Sequence, residues 1–544
     1  MFGKREVSTD VLLVGSGGAG LRAALEAKRN NVEVLLVSKS AIGFNSCTLY
    51  SEAAVSAPLE GLTPERYFDI TIETGRSLNN QRLVKVLAEE AAKRVLELRD
   101  LGVELKTKRG SASFVDTSIS ALTSGYGLIR PLTNELEKLG VKLLPHTFIS
   151  KLLVEGRQIF GATGFNSKGD FLVIAAKSVV LACGGAGQLH MRNDNPSGIT
   201  GDGYVLALEA GAPLVDMEFV QCYPTGSDER GLPSYFIPLV RRKFPDIVEW
   251  GRLLNANGED LINKHFPGDS LERASIRARD TLSRIIYRET SETGSVFLDL
   301  QQIPEEKWNE SESLQTFRRY WLKGQRRDSL DVSPMTHHFM GGVEINEYCE
   351  TNIEGLYVCG ENAGGVHGAN RMGGNALTDT IVFGARAGAA AAEHALETSK
   401  EGIDSHTINE EKERLLGILG RESGVEARTL RFEIQELAWR NIGIIRSKER
   451  LEKALERLEE MESLMKPLAG NTRQLVRALE SLHLMRVARL VTIAAMVRTE
   501  SRGAHFREDY PEQRDKDWMK NIMIEYYEGE VKTRVKPVVK LPKK

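Results

Sequence analysis

Apolar residues along this chain follow two rhythms. Near the N-terminus the run Val11 to Val14 in DVLLVGSGGAG is continuous, as in a strand buried on both faces, and it gives way at Gly15, Gly17 and Gly20 to the helix-like LRAALEAKRN. A second apolar run, Val32 to Val37, supplies the return strand of a βαβ unit. Two further buried strands are predicted, VVLACGGAG from Val179 to Gly187 and the strand of TNIEGLYVCGE, which ends at Glu361. Between them NPSGITGDGYVLALEAGA predicts a helix starting near Asp202. From Thr225 to Met335 the periodicity is broken by RRKFPD, NKHFPGD and RRDSLD, which marks an inserted unit, and the parallel sheet is expected to resume at MGGVEI. Beyond about Asn409 the rhythm turns helical: Leu451, Leu455, Leu458, Met461 and Met465 recur at intervals of three or four, predicting a helical bundle packed on the outside. After Tyr510 the pattern fades, and VKTRVKPVVKLPKK is expected as a solvated tail.

Size and charge narrow the classes open to such a chain. With 544 residues, 41% hydrophobic, and a formal net charge of −3, it has material for several domains and lacks the basic excess that nucleic acid would require. The longest strongly apolar stretch, Leu490 to Val497, is interrupted by Thr492 and falls far short of the ~20 residues of a membrane helix, so no span is expected. MFGKREVSTD runs into the first strand without an apolar signal core, which predicts a cytoplasmic location. The five cysteines, Cys47, Cys183, Cys222, Cys349 and Cys359, are dispersed and form no CxxC. They fit reduced thiols, no metal site is expected, and any iron–sulfur cluster would sit on a partner.

The glycine turn carries the first chemical signal. Glycines between a buried strand and a helix allow a tight turn, and they let backbone N–H groups at a helix N-terminus reach a pyrophosphate. The acidic ribose ligand that usually ends the second strand is absent, since Ser38 and Lys39 stand there, which favours FAD over NAD. The second signal is HGANRMGGNALTDTIVFG, residues 367 to 384, where an arginine and a histidine stand among glycines directly after the strand ending at Glu361. An anion site beside a redox cofactor is the reading.

Taken together, GSGGAG, TGDGYVLALEAGA, MEFVQCYPTG, IRARDTLSR, HHFMGGVEIN, GLYVCGE, HGANRMGGNAL and RTESRGAHFREDYPE make the chain resemble the flavoprotein subunits of the succinate dehydrogenase and fumarate reductase family, over nearly its whole length. L-Aspartate oxidase is a relative of that family. The resemblance implies an α/β FAD-binding Rossmann-like domain (residues 1–224 and 337–404), an inserted α+β capping domain (225–336), a C-terminal helical domain (405–509) and a C-terminal extension (510–544). It implies FAD contacts by Gly15, Ser16, Gly17, Gly18, Ala19, Gly20, Ser38, Lys39, Asn45, Ser46, Cys47, Thr48 and Asp202. Further FAD contacts are implied for Glu361 at a strand end and for Asn375, Ala376 and Leu377 at a helix start. The activity implied is hydride transfer between FAD and a four-carbon dicarboxylate, fumarate or succinate, with electrons exchanged with an iron–sulfur partner subunit. Membrane attachment, if any, would run through partners. A dianion needs cationic groups, and Arg371 and His337 align with the family's carboxylate ligands, although the adjacent His338 could exchange roles with His337. Arg279 aligns with the family's proton donor, an unusual acid that needs a relay to restore its proton. Arg273 and Arg277 lie near it, and Asp280 follows it.

Three departures from the family pattern qualify these expectations. Cys47 stands where many members carry the histidine bonded to the flavin, so FAD is expected to be noncovalent and the enzyme biased toward fumarate reduction. Tyr223 replaces a histidine that helps to hold a substrate carboxylate, bringing a hydroxyl donor without charge. The family's Thr-Glu relay pair has no clear match in YFIPLVRRKFPDIVEWGRLLN, where Glu249 aligns with a later glutamate and Arg241 and Arg242 add charge. Two alternatives therefore stay open: an L-aspartate oxidase-like enzyme, and a flavin-bearing scaffold or electron conduit with an altered substrate site.

Overall fold

The computed structural model describes residues 3–114, 125–227, 235–236, 244–320, 322, 324, 328–399, 405–527 and 530–542. Strand β1 (Gly3–Val14), helix α1 (Gly18–Arg29) and strand β2 (Val34–Val37) form the βαβ start, with Val11 beside Val34 and Val14 beside Val37 in parallel. β1 begins earlier than the apolar run because its polar first half pairs in parallel with a later strand while largely exposed. Strand β3 (Lys142–Leu144) extends the sheet beyond β2. Strands β4 (Thr147–Glu155), β5 (Gln158–Asn166) and β6 (Asp170–Leu181) then form an antiparallel meander, and β6 lies against β1.

Helix α2 (Asp202–Glu209) starts where the sequence places it, and the short strand β7 (Leu214–Val215) and strand β8 (Val220–Ser227) follow. The inserted segment has an apolar core of its own, including Phe244, Leu261, Leu282, Ile286, Trp308 and Val332. Within it lie helix α3 (Leu271–Arg277) and helix α4 (Arg279–Thr293). The chain returns through β9 (Ser333–Phe339), antiparallel to β8 with register shifts at Gln221/Cys222 and Tyr223/Gly226.

One expectation fails at this point. MGGVEI does not rejoin the central sheet: its strand β10 (Gly342–Val343) pairs with β7 in a second, four-stranded sheet. The central sheet is completed by β11 (Leu356–Val358), parallel to β6. Helix α5 (Asn375–Glu397) then packs along α1 at very close range, since a Cβ on Gly388 would lie 2.1 Å from the Ala23 carbonyl oxygen.

The C-terminal region holds α6 (Ala427–Leu437), α7 (Lys448–Leu464) and α8 (Thr472–Val497). Leu451, Leu458 and Met461 are buried on α7, whereas Leu455 and Met465 are half-buried. The expected solvated tail is instead a hairpin, β12 (Lys520–Tyr527) and β13 (Glu530–Pro537), with β12 paired to β7 and β13 at the sheet edge. Ile522, Met523 and Ile524 are fully buried, which anchors the hairpin, and the cations Lys532 and Arg534 on β13 are exposed. Among the described residues no helix is long and apolar enough to cross a membrane.

Candidate active site

A cavity of about 650 Å³ opens at the ends of β1, β2, β6 and β11, between the start of α5 and the inserted segment. The turn after β1 forms one wall. Gly15 has φ +108° and approaches the end of β6 so closely that a Cβ would lie 2.3 Å from the Ala182 carbonyl oxygen, a position only glycine fits. α1 begins at an N-cap glycine, Gly17, without a side-chain cap, and α5 begins at Gly374, which has φ +85° and likewise carries no side-chain cap. Two helix starts whose N-cap residues are glycines thus border one cavity, an arrangement suited to the phosphates and the electron-rich ring of FAD.

Most of the residues expected at the cofactor line this cavity: Gly15, Ser16, Gly17, Gly18, Ala19, Ser38, Lys39, Asn45, Ser46, Cys47, Thr48, Asp202, Glu361, Ala376 and Leu377. Hydrogen bonds tie this wall together, Gly18 N–H to Thr48 Oγ1 at 3.1 Å and Ser16 Oγ to Ser38 Oγ at 2.9 Å. Two residues do not line it. Gly20 serves packing, because a Cβ there would lie 1.9 Å from the Gly15 carbonyl oxygen. Asn375 is fully buried and pins the start of α5, accepting from the Tyr67 hydroxyl at 2.8 Å and donating to Thr71 Oγ1 at 3.3 Å.

Asp202 and Lys39 border the cavity but face each other. Lys39 Nζ donates to Asp202 at 2.5 Å, to Glu480 at 2.7 Å and to Thr200 at 3.0 Å, and His483 Nδ1 lies 2.9 Å from Asp202. Burial opposes ionisation of Asp202, yet Lys39 and then His483 hold its carboxyl well below the usual range. Asp202 is the first residue of α2 rather than its N-cap, which is Gly201, and its carboxylate couples the sheet to α8.

The residues expected at the substrate come from three elements. Arg371, on the glycine loop before α5, is almost fully buried; one guanidinium N–H donates to the Met372 carbonyl at 3.2 Å, and Nε has no partner among the described residues. Burial, reinforced by repulsion from Arg279, pushes Arg371 down to about 9. Arg279, the first residue of α4, lies with its guanidinium carbon 5.1 Å from the centre of the Tyr223 ring, and its buried Nε has no partner among the described residues. Its guanidinium also reaches the glycine loop, 3.9 Å from where a Cβ of Gly373 would stand. Arg279 therefore faces the cavity, whereas Arg273 and Arg277 are exposed and Asp280 pairs with Arg284 at 3.6 Å.

His337 and His338 are neighbours on β9, yet both line the cavity. Strand neighbours normally point to opposite faces, and the register shift opposite His337, between Gln221 and Cys222, alters that alternation. Nδ1 of His337 lies 2.7 Å from Asp194, and its ring meets the Tyr223 ring edge-on at 5.9 Å. His338 is more deeply buried, 3.5 Å from Glu361 and 5.3 Å ring to ring from His367. Burial, then Arg371, pushes His338 well below the usual imidazole range. Burial likewise pushes Glu361 up to about 7, although its Oε1 accepts the Phe339 N–H at 3.0 Å. Burial, then Glu361 and Asp194, holds the Cys47 thiol protonated, and it donates to Asn195 at 3.2 Å.

Several lining residues carry no signal in the sequence. Asp194 and Asn195 come from the polar segment RNDNPSG, whose composition indicates only a turn, and Glu272 and Ile276 come from α3. Glu249 is exposed on the helix Pro245–Trp250 and does not line the cavity, while Arg241 and Arg242 lie outside the described residues.

Known proteins share this architecture from end to end. A family model described as FAD binding domain matches residues 10–377, and one described as Fumarate reductase flavoprotein C-term matches residues 431–542. The fumarate reductase (CoM/CoB) of Methanothermobacter marburgensis has one subunit that is 34% identical to this chain, over 95% of this chain and 96% of its own length. The L-aspartate oxidase of Streptomyces coelicolor is 30% identical, over 95% and 91%. Among solved structures, FrdA of Escherichia coli quinol fumarate reductase superposes with a TM-score of 0.86 at 26% identity, covering 99% of this chain and 98% of that one. Mycobacterium smegmatis Sdh1 gives a TM-score of 0.86 at 27% identity, covering 99% and 96%. A glycine turn and two glycine-capped helix starts around one cavity, matched over most of the chain by these models and relatives, place this protein in the fumarate reductase and succinate dehydrogenase flavoprotein family of FAD-dependent oxidoreductases.

Proposed function

We propose that this flavoprotein reduces fumarate, and in reverse oxidises succinate, as one component of an electron-transfer complex. The observation that carries the reading is the convergence of Arg279, Arg371 and His337 on the cofactor cavity, with the buried Nε of each arginine left without a partner among the described residues. Two guanidinium groups that repel each other in one cavity are unfavourable alone, and a dianion relieves that repulsion. Arg371 offers a fork for one carboxylate and His337 an imidazole for the other. Bound FAD supplies the centre that gives or takes the hydride. Arg279 holds the proton for the neighbouring carbon, and the Tyr223 ring steadies its guanidinium from one face. The relay that restores this proton would begin on the inserted segment, where Glu272 lines the cavity at half burial.

The cofactor is held without a covalent bond, a reading supported by the half-buried Cys47 thiol at the family's attachment position, which its surroundings hold protonated. Without that bond the flavin is the weaker oxidant, which favours fumarate reduction. Electrons come from an iron–sulfur partner subunit, a reading supported by relatives that are themselves subunits of larger enzymes. The chain works in the cytoplasm, and any membrane attachment runs through partners.

The test is anaerobic turnover of the purified, FAD-loaded chain with fumarate, with succinate and with aspartate. Fumarate-driven oxidation of a reduced dye, faster than succinate oxidation at matched driving force, is expected, with flavin released into solution on acid precipitation. Turnover of aspartate alone would move the protein to the aspartate oxidase activity of its relative.

A further inference from the structure

Asp194 has no part in the chemistry above, yet it is built into the site. Its side chain is 6% exposed, and Oδ2 lies 2.7 Å from Nδ1 of His337. The other oxygen accepts from the Asn195 amide at 3.0 Å, and the same amide donates to the His337 carbonyl at 3.2 Å. The backbone is stitched to the strand that carries the histidine: Asp194 N–H donates to the Thr336 carbonyl at 3.2 Å, and Thr336 N–H to that of Arg192 at 2.9 Å. Asn195 is itself fixed, since it accepts from Cys47, and a Cβ on Gly187 would lie 2.2 Å from its side chain. A carboxylate this close to a dianion site would weaken binding by repulsion unless its charge were used.

We propose that Asp194 is a positioning residue for dicarboxylate binding, accepting the Nδ1 hydrogen of His337 so that Nε2 is aimed to donate to a substrate carboxylate. The carboxylate fixes the ring's orientation and balances the second proton that donation from Nε2 requires, while the Tyr223 ring limits rotation. This inference rests on the dicarboxylate reading given above.

Asp194→Asn keeps the shape and removes the charge. It is expected to raise the fumarate KM about tenfold with kcat changed by less than about threefold, and to change KM by less than about twofold when His337 is already Gln. An unchanged KM, or an equal rise in both backgrounds, overturns the proposal. If the FAD-loaded wild type turns over neither fumarate nor succinate, the dicarboxylate reading fails instead, and histidine ring signals decide the role of Asp194. In ¹⁵N-histidine-labelled holoprotein His337 is expected to carry its hydrogen on Nδ1, with a signal that moves in Asp194→Asn; a signal that stays put overturns the proposal.

Discussion

At the scale of single residues, the site is governed by which charges burial leaves uncompensated. Tyr223 illustrates the point. Its replacement of a histidine reads in the sequence as a donor that brings no charge, and the structure also uses its ring: the face supports Arg279 at 5.1 Å and the edge meets His337 at 5.9 Å. Cation–π contacts of this kind contribute roughly 0.5–2 kcal/mol. Tyr223→Phe should therefore keep fumarate reduction within about threefold, while Tyr223→Ala should cost about tenfold or more, as measured by kcat/KM. A large loss in the Phe variant would return the role to the hydroxyl. Glu361 makes a second prediction. Its folded-state value, raised by burial to about 7 from 4.5, means that its neutral form is the one the fold prefers. The stability it contributes is complete below the unfolded value and is lost as pH rises through the folded one. The FAD-free chain should melt lower at about pH 8 than at about pH 5.5, and Glu361→Gln should shrink that difference in a thermal melt.

At the scale of elements, α1 and α5 are held together by small residues that let their backbones touch. A Cβ on Gly384 would lie 2.8 Å from the Ala19 carbonyl oxygen and one on Gly388 2.1 Å from that of Ala23. Gly388→Ala should cost about 1–3 kcal/mol of stability through overpacking, seen as an earlier denaturant midpoint, and should loosen FAD because α1 and α5 present their N-termini to the same cavity. The elements also show what the sequence could and could not reveal. The glycine turn after Val14, the helix at Asp202 and the strand ending near Glu361 were legible because continuous apolar runs and glycines are strong local signals. MGGVEI misled because a two-residue strand carries no information about which sheet it joins. The C-terminal hairpin was invisible for a related reason: β12 buries Ile522, Met523 and Ile524 without alternation, and its partner β13 is a polar edge strand. Asp194 could not be found from the sequence, since it stands 143 positions from His337 and nothing local links them.

At the scale of the whole molecule, the reacting site is assembled from regions far apart in the chain. The central sheet and α1 frame the cofactor, the loop before α5 brings Arg371, and the inserted segment, with a core of its own, brings Arg279, Glu272 and Ile276. Any displacement of the inserted segment would carry Arg279, the proposed proton donor, away from Arg371 and His337, so in the proposed mechanism its docking is coupled to catalysis. The Lys39, Asp202, Glu480 and His483 network reaches from the sheet to α8, tying the helical region to the same cavity. Changes near the middle of α8, such as His483→Ala, should therefore be felt at the cofactor as weaker FAD retention on gel filtration.

The most direct test of this account is anaerobic oxidation of a reduced viologen by the FAD-loaded chain, with and without fumarate, for the wild type beside Arg279→Gln. The account predicts fumarate-dependent oxidation in the wild type and a loss of at least about a hundredfold in kcat in the variant, with FAD still bound and with dicarboxylate affinity reduced far less than kcat. Undiminished turnover in Arg279→Gln, or a wild type that holds FAD and ignores fumarate, would contradict it.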